Sequence, residues 1–203
     1  MKKLLFIVIL LLSQFYIFSQ RITIPPELNW WLQEIQKEDE TININNFIFN
    51  EERIIEKEKK PVSYKNKLYS VLKKWNYYGN TFAYYSVFWN LKKEKNGKYT
   101  ILADSDSQFG IFDKKENLLF MDYFGSSKWI DSFCWLNDNR IIAVGEYIWN
   151  ENNEKNVDFI IYDYSINNDK INIKEYICTE KDFNFEKLKL SWFEQRSDCF
   201  EVE

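Results

Sequence analysis

Two acidic residues have the spacing that comes closest to a metal-binding motif in this sequence. Asp104 and Asp106 alternate with serine, as the early ligands of a calcium-binding loop do. The match ends there, because Phe109 stands where that loop needs glycine and Lys115 stands where it needs a bidentate glutamate. The segment therefore predicts a polar turn between strands, and we expect no metal or other cofactor.

A pair of carboxylates is the second arrangement that could do chemistry. Histidine is absent from all 203 residues, which removes the usual general base near neutral pH and every histidine-dependent nucleophile. Glycoside hydrolases need only two acids, one to donate a proton and one to attack or to activate water. The candidate acids at predicted strand ends are Asp104, Asp106, Asp131 and Glu146. If this protein is an enzyme, we therefore expect it to act on carbohydrate.

Aromatic side chains suggest binding rather than catalysis. Tyr and Trp contribute a large share of the energy at protein interfaces, and their rings can also stack on sugars. Trp149 ends a predicted strand and precedes the polar segment 150–156, and Tyr147 and Trp129 are further exposed candidates. We expect a binding surface that contains Tyr147, Trp149 and Trp129 together with Asp104, Asp106 and Glu146. A long solvated turn at residues 150–156 is the alternative.

The N-terminal segment has the layout of an export signal. Two lysines precede an apolar run over residues 4–12, which is interrupted at Ser13 and Gln14 and ends near Ser19. The run is shorter than the roughly 20 residues that a membrane-spanning helix needs. We expect residues 1–19 to be a cleaved signal peptide and the mature protein to be periplasmic or extracellular. Retention of the segment as an anchor is the alternative.

The charge balance limits the classes of partner. The chain has 27 basic and 31 acidic residues, a net charge of −4, and loss of Lys2 and Lys3 with the signal would make it more acidic. Nucleic acids and anionic membranes would be repelled by such a surface. A basic or neutral protein partner, or a neutral ligand such as a carbohydrate, is compatible with it.

Three cysteines are too few for a disulfide scaffold, but one bridge is compatible with an exported protein. Cys134 lies between two aromatic residues and is expected to be a small buried apolar side chain. We therefore predict a bridge between Cys178 and Cys199. The alternative is that all three thiols are reduced and buried.

The region before residue 81 predicts a helix, a strand and a second helix. Leu28, Trp31, Leu32 and Ile35 recur at helical spacing after two prolines and predict a helix over residues 26–38. Alternating residues predict a strand over 42–49, with a turn at 50–51. A charged exposed segment then leads to Pro61, and apolar spacing over 68–75 predicts the second helix. We expect residues 20–80 to pack as one unit with residues 81–203.

From Thr81 onward the pattern changes to β-branched and aromatic runs with a period of two. Asn96-Gly97 between two apolar runs is a strong hairpin signal. Short polar turns between the runs indicate an antiparallel meander. The predicted strands cover residues 82–91, 98–104, 108–113, 118–124, 129–136, 140–149, 157–164, 171–178 and 185–193.

Two parts of this meander are similar to each other. Residues 101–103 align with 141–143, and Phe109-Gly-Ile-Phe-Asp113 aligns with Phe159-Ile-Ile-Tyr-Asp163. The four-strand rhythm over residues 82–178 resembles the blades of β-propellers of the WD type and their relatives. The Gly-His and Trp-Asp dipeptides of WD repeats are absent, and a closed ring normally needs at least four blades. The fold class we expect is mainly β, with two blade-like units forming a partial propeller or a curved sheet or sandwich.

Together these features predict an exported, non-catalytic binding protein, of which an inhibitor or immunity-type protein is an example. The alternative is a carbohydrate-active enzyme or carbohydrate-binding module that uses paired carboxylates and aromatic platforms. A third possibility is a structural subunit that assembles through unpaired edge strands.

Overall fold

The computed structural model describes residues 22–58, 60–61, 73–87, 91–93, 95–97, 99–101, 107–125, 127–151, 154–181 and 200–202. Within these ranges the protein is mainly β with a short N-terminal helix, so the predicted fold class is confirmed. Among the described helices, none has the length and apolar character required to cross a membrane. The predicted signal peptide, residues 1–19, lies outside the described part of the chain.

The helical elements are a 3₁₀ turn at Pro26–Leu28, helix α1 at Asn29–Gln36 and a 3₁₀ turn at Ile44–Asn46. The strands are β1 Ile48–Glu56, β2 Lys60–Pro61, β3 Lys73–Trp75, β4 Thr81–Val87, β5 Leu91–Lys93, β6 Tyr99–Ile101, β7 Ser107–Asp113, β8 Asn117–Phe124, β9 Lys128–Asn137, β10 Arg140–Glu151, β11 Glu154–Ile166, β12 Lys170–Lys181 and β13 Phe200–Val202.

The predicted N-terminal helix is present, but its first turn is 3₁₀ rather than α. Pro26 begins that turn, where its missing N–H costs nothing, and Glu27 favours the positive end of the helix. Leu28, Trp31 and Ile35 are fully buried on one side of the helical segment. The apolar spacing that predicted the helix therefore also identified its buried face.

The strand predicted over residues 42–49 is wrong in its first half. Asn43 caps a 3₁₀ turn instead, accepting a hydrogen bond from the Asn45 backbone while the Asn46 side chain accepts one from the Asn43 backbone. Such local side-chain bonds compete with strand pairing. β1 begins at Ile48 and continues through Asn50, where a β-bulge replaces the predicted turn.

The end of the second predicted helix is also wrong. Residues 73–75 form β3, which pairs antiparallel with β4. Trp75 lies opposite Phe82, and the two ring centroids are 4.8 Å apart. Cross-strand packing has overridden the helical spacing in this segment. Residues 62–72 lie outside the described part of the chain.

Two five-stranded antiparallel sheets form the body of the protein. Sheet A has the order β1-β12-β11-β10-β9, and sheet B has the order β2-β8-β7-β4-β3. Aromatic residues of both sheets meet between them: the Phe109 ring of β7 lies 4.9 Å from the Tyr164 ring of β11. The described residues thus form a sandwich, and they contain neither a closed barrel nor a closed propeller.

Of the two predicted four-stranded units, only the second forms as predicted. The second is an unbroken meander, β9-β10-β11-β12, as expected. In the first, β4 pairs directly with β7, and the strand predicted over 98–104 is not between them. β6 instead pairs with β5 and, in parallel, with β13, forming a separate three-stranded sheet. The Asn96-Gly97 turn is compatible with this arrangement, because a β-hairpin of β5 and β6 can form without pairing with sheet B.

The N-terminal helical segment covers the face of sheet A that points away from sheet B. Along β10, Ile141 and Ala143 point towards sheet B, whereas Ile142 and Val144 pack with Trp31 and the helical segment. Both faces of these strands are therefore buried. This explains why residues 141–144 are an unbroken apolar run, although the pattern from Thr81 onward was interpreted as having a period of two.

Candidate functional site

Three of the predicted binding residues lie close together on the β9–β10 ladder. Glu146 is opposite Trp129, and Tyr147 is opposite Lys128. Tyr147 does not share a surface with Glu146, because successive residues of a strand point to opposite faces. Glu146 is only 6% exposed, Trp129 is half-buried against the core between the sheets, and Tyr147 is 36% exposed.

The predicted contact loop after Trp149 is replaced by a longer hairpin. β10 and β11 remain paired as far as Glu151 opposite Glu154, so most of segment 150–156 is strand. Trp149 is half-buried, and its indole nitrogen makes no hydrogen bond with the described residues. The extra residues therefore lengthen two strands. Asp104 and Asp106, the other predicted binding residues, lie outside the described ranges.

The structure places two of the candidate acids, Asp131 and Glu146, on neighbouring strands and buries both. Asp131 lies where the register between β9 and β10 shifts, and its Oδ2 accepts a hydrogen bond of 2.8 Å from the indole nitrogen of Trp31. The Asp131 and Glu146 side chains are 3% and 6% exposed. The Asp131 carboxylate therefore serves as an anchor for the helical segment.

A second pair of acids lies on the strands that face each other across the sandwich. Asp122 of β8 forms an ion pair with Arg53 of β1 at 2.9 Å. Glu175 of β12 accepts hydrogen bonds from Lys128, at 2.9 Å, and from Asn50, at 2.8 Å. Each carboxylate is thus already bonded to a cation that connects separate strands. The arrangement ties strands together at this side of the sandwich.

The described cysteines are both in the layer between sheet A and the helical segment. The thiols of Cys134 and Cys178 are not joined to each other, and the Cys178 thiol donates to Glu180 over 3.6 Å. Burial raises the pKa of Cys134 to about 11, and burial together with Glu180 raises the pKa of Cys178 to about 12. Cys199 lies outside the described residues, so the bridge from Cys178 to Cys199 stays a prediction.

Thiol labelling tests that bridge. At pH 8 the Cys134 thiol is protonated because its pKa is raised, and the thiolate is the reactive form. We expect iodoacetamide to leave Cys134 unmodified in the native protein, and Cys178 as well, because it is either bridged or a thiol of raised pKa. After unfolding in urea without reductant, mass spectrometry should find one labelled cysteine, Cys134, and labelling of all three after reduction. Three labels before reduction would show that the bridge is absent.

The two most exposed aromatic residues of the described part of the chain, Tyr77 and Tyr78, lie elsewhere, at one end of the sandwich. Turns 76–80, 114–116, 138–139 and 167–169 gather at this end because successive strands run antiparallel. Trp75 is 48% exposed, Tyr77 is 71% exposed and Tyr78 is 80% exposed. We call Trp75, Tyr77 and Tyr78 the aromatic hairpin.

A buried asparagine holds the turn of the aromatic hairpin in one conformation. The Asn76 side chain is 4% exposed and donates to Asn80 Oδ1 at 2.7 Å and to the Asp138 carbonyl at 3.2 Å. Its oxygen accepts from the backbone N–H groups of Asn80 and Thr81. Gly79 adopts a left-handed conformation, with φ of 63°, which suits glycine. The hydrogen bonds of the buried Asn76 side chain therefore hold the turn in one conformation.

Contacts with sheet A hold the backbone of Tyr78 and the side chain of Tyr77. The backbone N–H of Tyr78 donates to the Asp138 carboxylate at 2.9 Å, and the Tyr77 hydroxyl lies 3.5 Å from the Trp135 carbonyl. Trp75 packs against Phe82 of the neighbouring strand. The aromatic hairpin therefore presents exposed rings on a backbone that is bonded to both sheets.

The sequence contained a signal for this surface. Asn76-Tyr-Tyr-Gly-Asn80 has the asparagines and glycine of a turn, and tyrosines at the tip of a turn are exposed unless something covers them. The helical spacing of 68–75 assigned Trp75 to a helix, and this assignment concealed the hairpin.

Comparison with known proteins provides no relative for this chain: no family model, curated protein or solved structure matches it.

Proposed function

We propose that this is an exported, non-catalytic binding protein that contacts a protein partner through the aromatic hairpin. The observation that carries the proposal is the combination of two largely exposed tyrosines with a turn that a buried asparagine holds rigid. An inhibitor or an immunity-type protein would use such a surface.

Exposure and rigidity together favour a recognition role. Folding does not require Tyr77 or Tyr78 to be aromatic, because most of each side chain remains in water. Tyrosine and tryptophan are enriched among the residues that dominate binding energy. A surface already held in its bound conformation loses less conformational entropy on association. A set of turns at one end of a sandwich is also a common position for binding loops.

The test is a double substitution, Tyr77→Ala with Tyr78→Ala. Proteins from the envelope and medium of the producing cell are passed over the immobilised mature protein, and a retained partner is identified, purified and titrated by calorimetry. We expect the double variant to bind at least 100-fold more weakly, because hot-spot truncations cost about 2 kcal/mol each. Its melting temperature should be unchanged within error.

Two other exposed tyrosines provide matched controls. Tyr123 is 66% exposed on β8, and Tyr147 lies at the opposite end of the sandwich. Tyr123→Ala should leave the affinity unchanged. If Tyr147→Ala abolishes binding while the double variant binds normally, the surface predicted from the sequence is the correct one. If no protein is retained but oligosaccharides bind, the carbohydrate-binding alternative replaces this proposal.

A further inference from the structure

The turn between β7 and β8 forms one side of the surface that contains the aromatic hairpin. The backbone N–H of Lys114 donates to the Asn80 carbonyl at 2.9 Å, which joins the two turns. Lys114 and Lys115 are both exposed. Neither ammonium group forms a salt bridge with a residue that the structure describes, although the Lys115 charge interacts with the neighbouring Asp113 carboxylate. The turn that is joined to the aromatic hairpin therefore carries two exposed lysines that make no salt bridge within the described chain.

The neighbouring acids are already bonded within the protein. The Asp113 carboxylate accepts from the backbone N–H groups of Lys115 and Asn117 and from the Asn117 side chain. Glu116, whose φ is 64°, forms an ion pair with Lys73 at 2.7 Å. Asp138 accepts from the backbone of Tyr78. These contacts fix the carboxylates in place, whereas Lys114 and Lys115 can turn towards a partner.

We infer that the partner segment that covers the aromatic hairpin carries carboxylates that bind Lys114 and Lys115. This inference rests on the proposed function and specifies the chemistry of the partner at the same surface. It is compatible with the net charge of −4, because at physiological salt charges act mainly within about 8 Å. The partner's contact segment is therefore locally acidic. Complementary charges of this kind set orientation and specificity.

Peptide selection tests the inference even while the partner is unidentified. A phage library of random 12-residue peptides is selected on the mature protein, after depletion on the Tyr77→Ala/Tyr78→Ala variant. We expect the selected peptides to be enriched in Asp and Glu relative to the library. A synthetic copy of the best peptide should bind the Lys114→Glu/Lys115→Glu variant about tenfold more weakly or worse, measured by fluorescence anisotropy.

A second charge-reversal variant controls for net charge. Lys37 and Lys95 are exposed outside the aromatic hairpin and the turns beside it, and Lys37→Glu/Lys95→Glu changes the net charge by the same amount. This control should bind the peptide as the unmodified protein does. Peptides that need the tyrosines but show no acidic enrichment and no dependence on Lys114 and Lys115 would overturn the inference and leave the proposed function intact. Failure to select any tyrosine-dependent peptide would overturn both.

Discussion

Gly145→Ala is expected to lower the free energy of unfolding by about 3 kcal/mol or more. Gly145 lies opposite Ile130 where the register between β9 and β10 shifts. An added Cβ would be 2.0 Å from the Trp129 carbonyl oxygen and 3.0 Å from the Ile130 Cα. These are backbone atoms, so the clash is relieved only if the two strands separate or change register. Urea unfolding followed by far-ultraviolet circular dichroism measures the loss.

Gly125→Ala is the matched control for this substitution. Gly125 is exposed after β8, and an added Cβ would have no heavy atom within 4 Å. We expect its free energy of unfolding to stay within about 0.5 kcal/mol of the unmodified protein, as for most surface substitutions. Equal stability of the two variants would show that the close approach of β9 to Gly145 is wrong.

Trp31→Ala is expected to cost about 4 kcal/mol, because it removes the largest side chain that anchors the helical segment. Trp31 is fully buried, and its ring packs edge-on against Phe159 at a centroid distance of 6.0 Å. Its indole nitrogen also donates to the buried Asp131 carboxylate. Loss of the ring leaves a cavity above sheet A and removes a hydrogen bond to a charged group. The measurement is again urea unfolding.

Trp31→Phe separates the two contributions. It keeps most of the packing against Phe159 and removes the hydrogen bond to Asp131. We expect a loss of about 2 kcal/mol, because hydrogen bonds to charged groups are worth roughly 1.5–3 kcal/mol. If Trp31→Ala lowers the free energy of unfolding by less than about 1 kcal/mol, the helical segment does not depend on this contact. The packing of the helical segment on sheet A is then wrong.

The elements that could be predicted are those whose signal is local. Dense β-branched and aromatic runs mark the strands β9, β10, β11 and β12 of sheet A. The predicted bounds of these four strands lie within a few residues of the observed ones. The helical segment was predicted from Trp31 and Ile35 at four-residue spacing. Where local signals competed, the prediction was wrong. The 3₁₀ turn capped by Asn43 occupies part of a predicted strand. Trp75 lies in β3, paired with Phe82, rather than in a helix.

The candidate surface could not be predicted in full because exposure is not a local property. Tyr77 and Tyr147 are the same residue type, but 71% of one and 36% of the other is exposed. What separates them is the packing of turn 76–80 on Asp138, a contact between residues about 60 positions apart. The exposure of acidic residues could not be predicted either. Glu146 was predicted at a strand end as a candidate site residue, but it is buried in the structure.

The sequence by itself determined the strand-rich class and the absence of any histidine-based chemistry, because both follow from residue type and short-range periodicity. The tertiary structure decided how the strands associate: face-to-face sheets rather than blades, with β4 paired to β7 and the helical segment covering sheet A. It also decided which aromatic residues remain in water. Pairing and burial depend on contacts between residues far apart in the chain, and no local pattern specifies those.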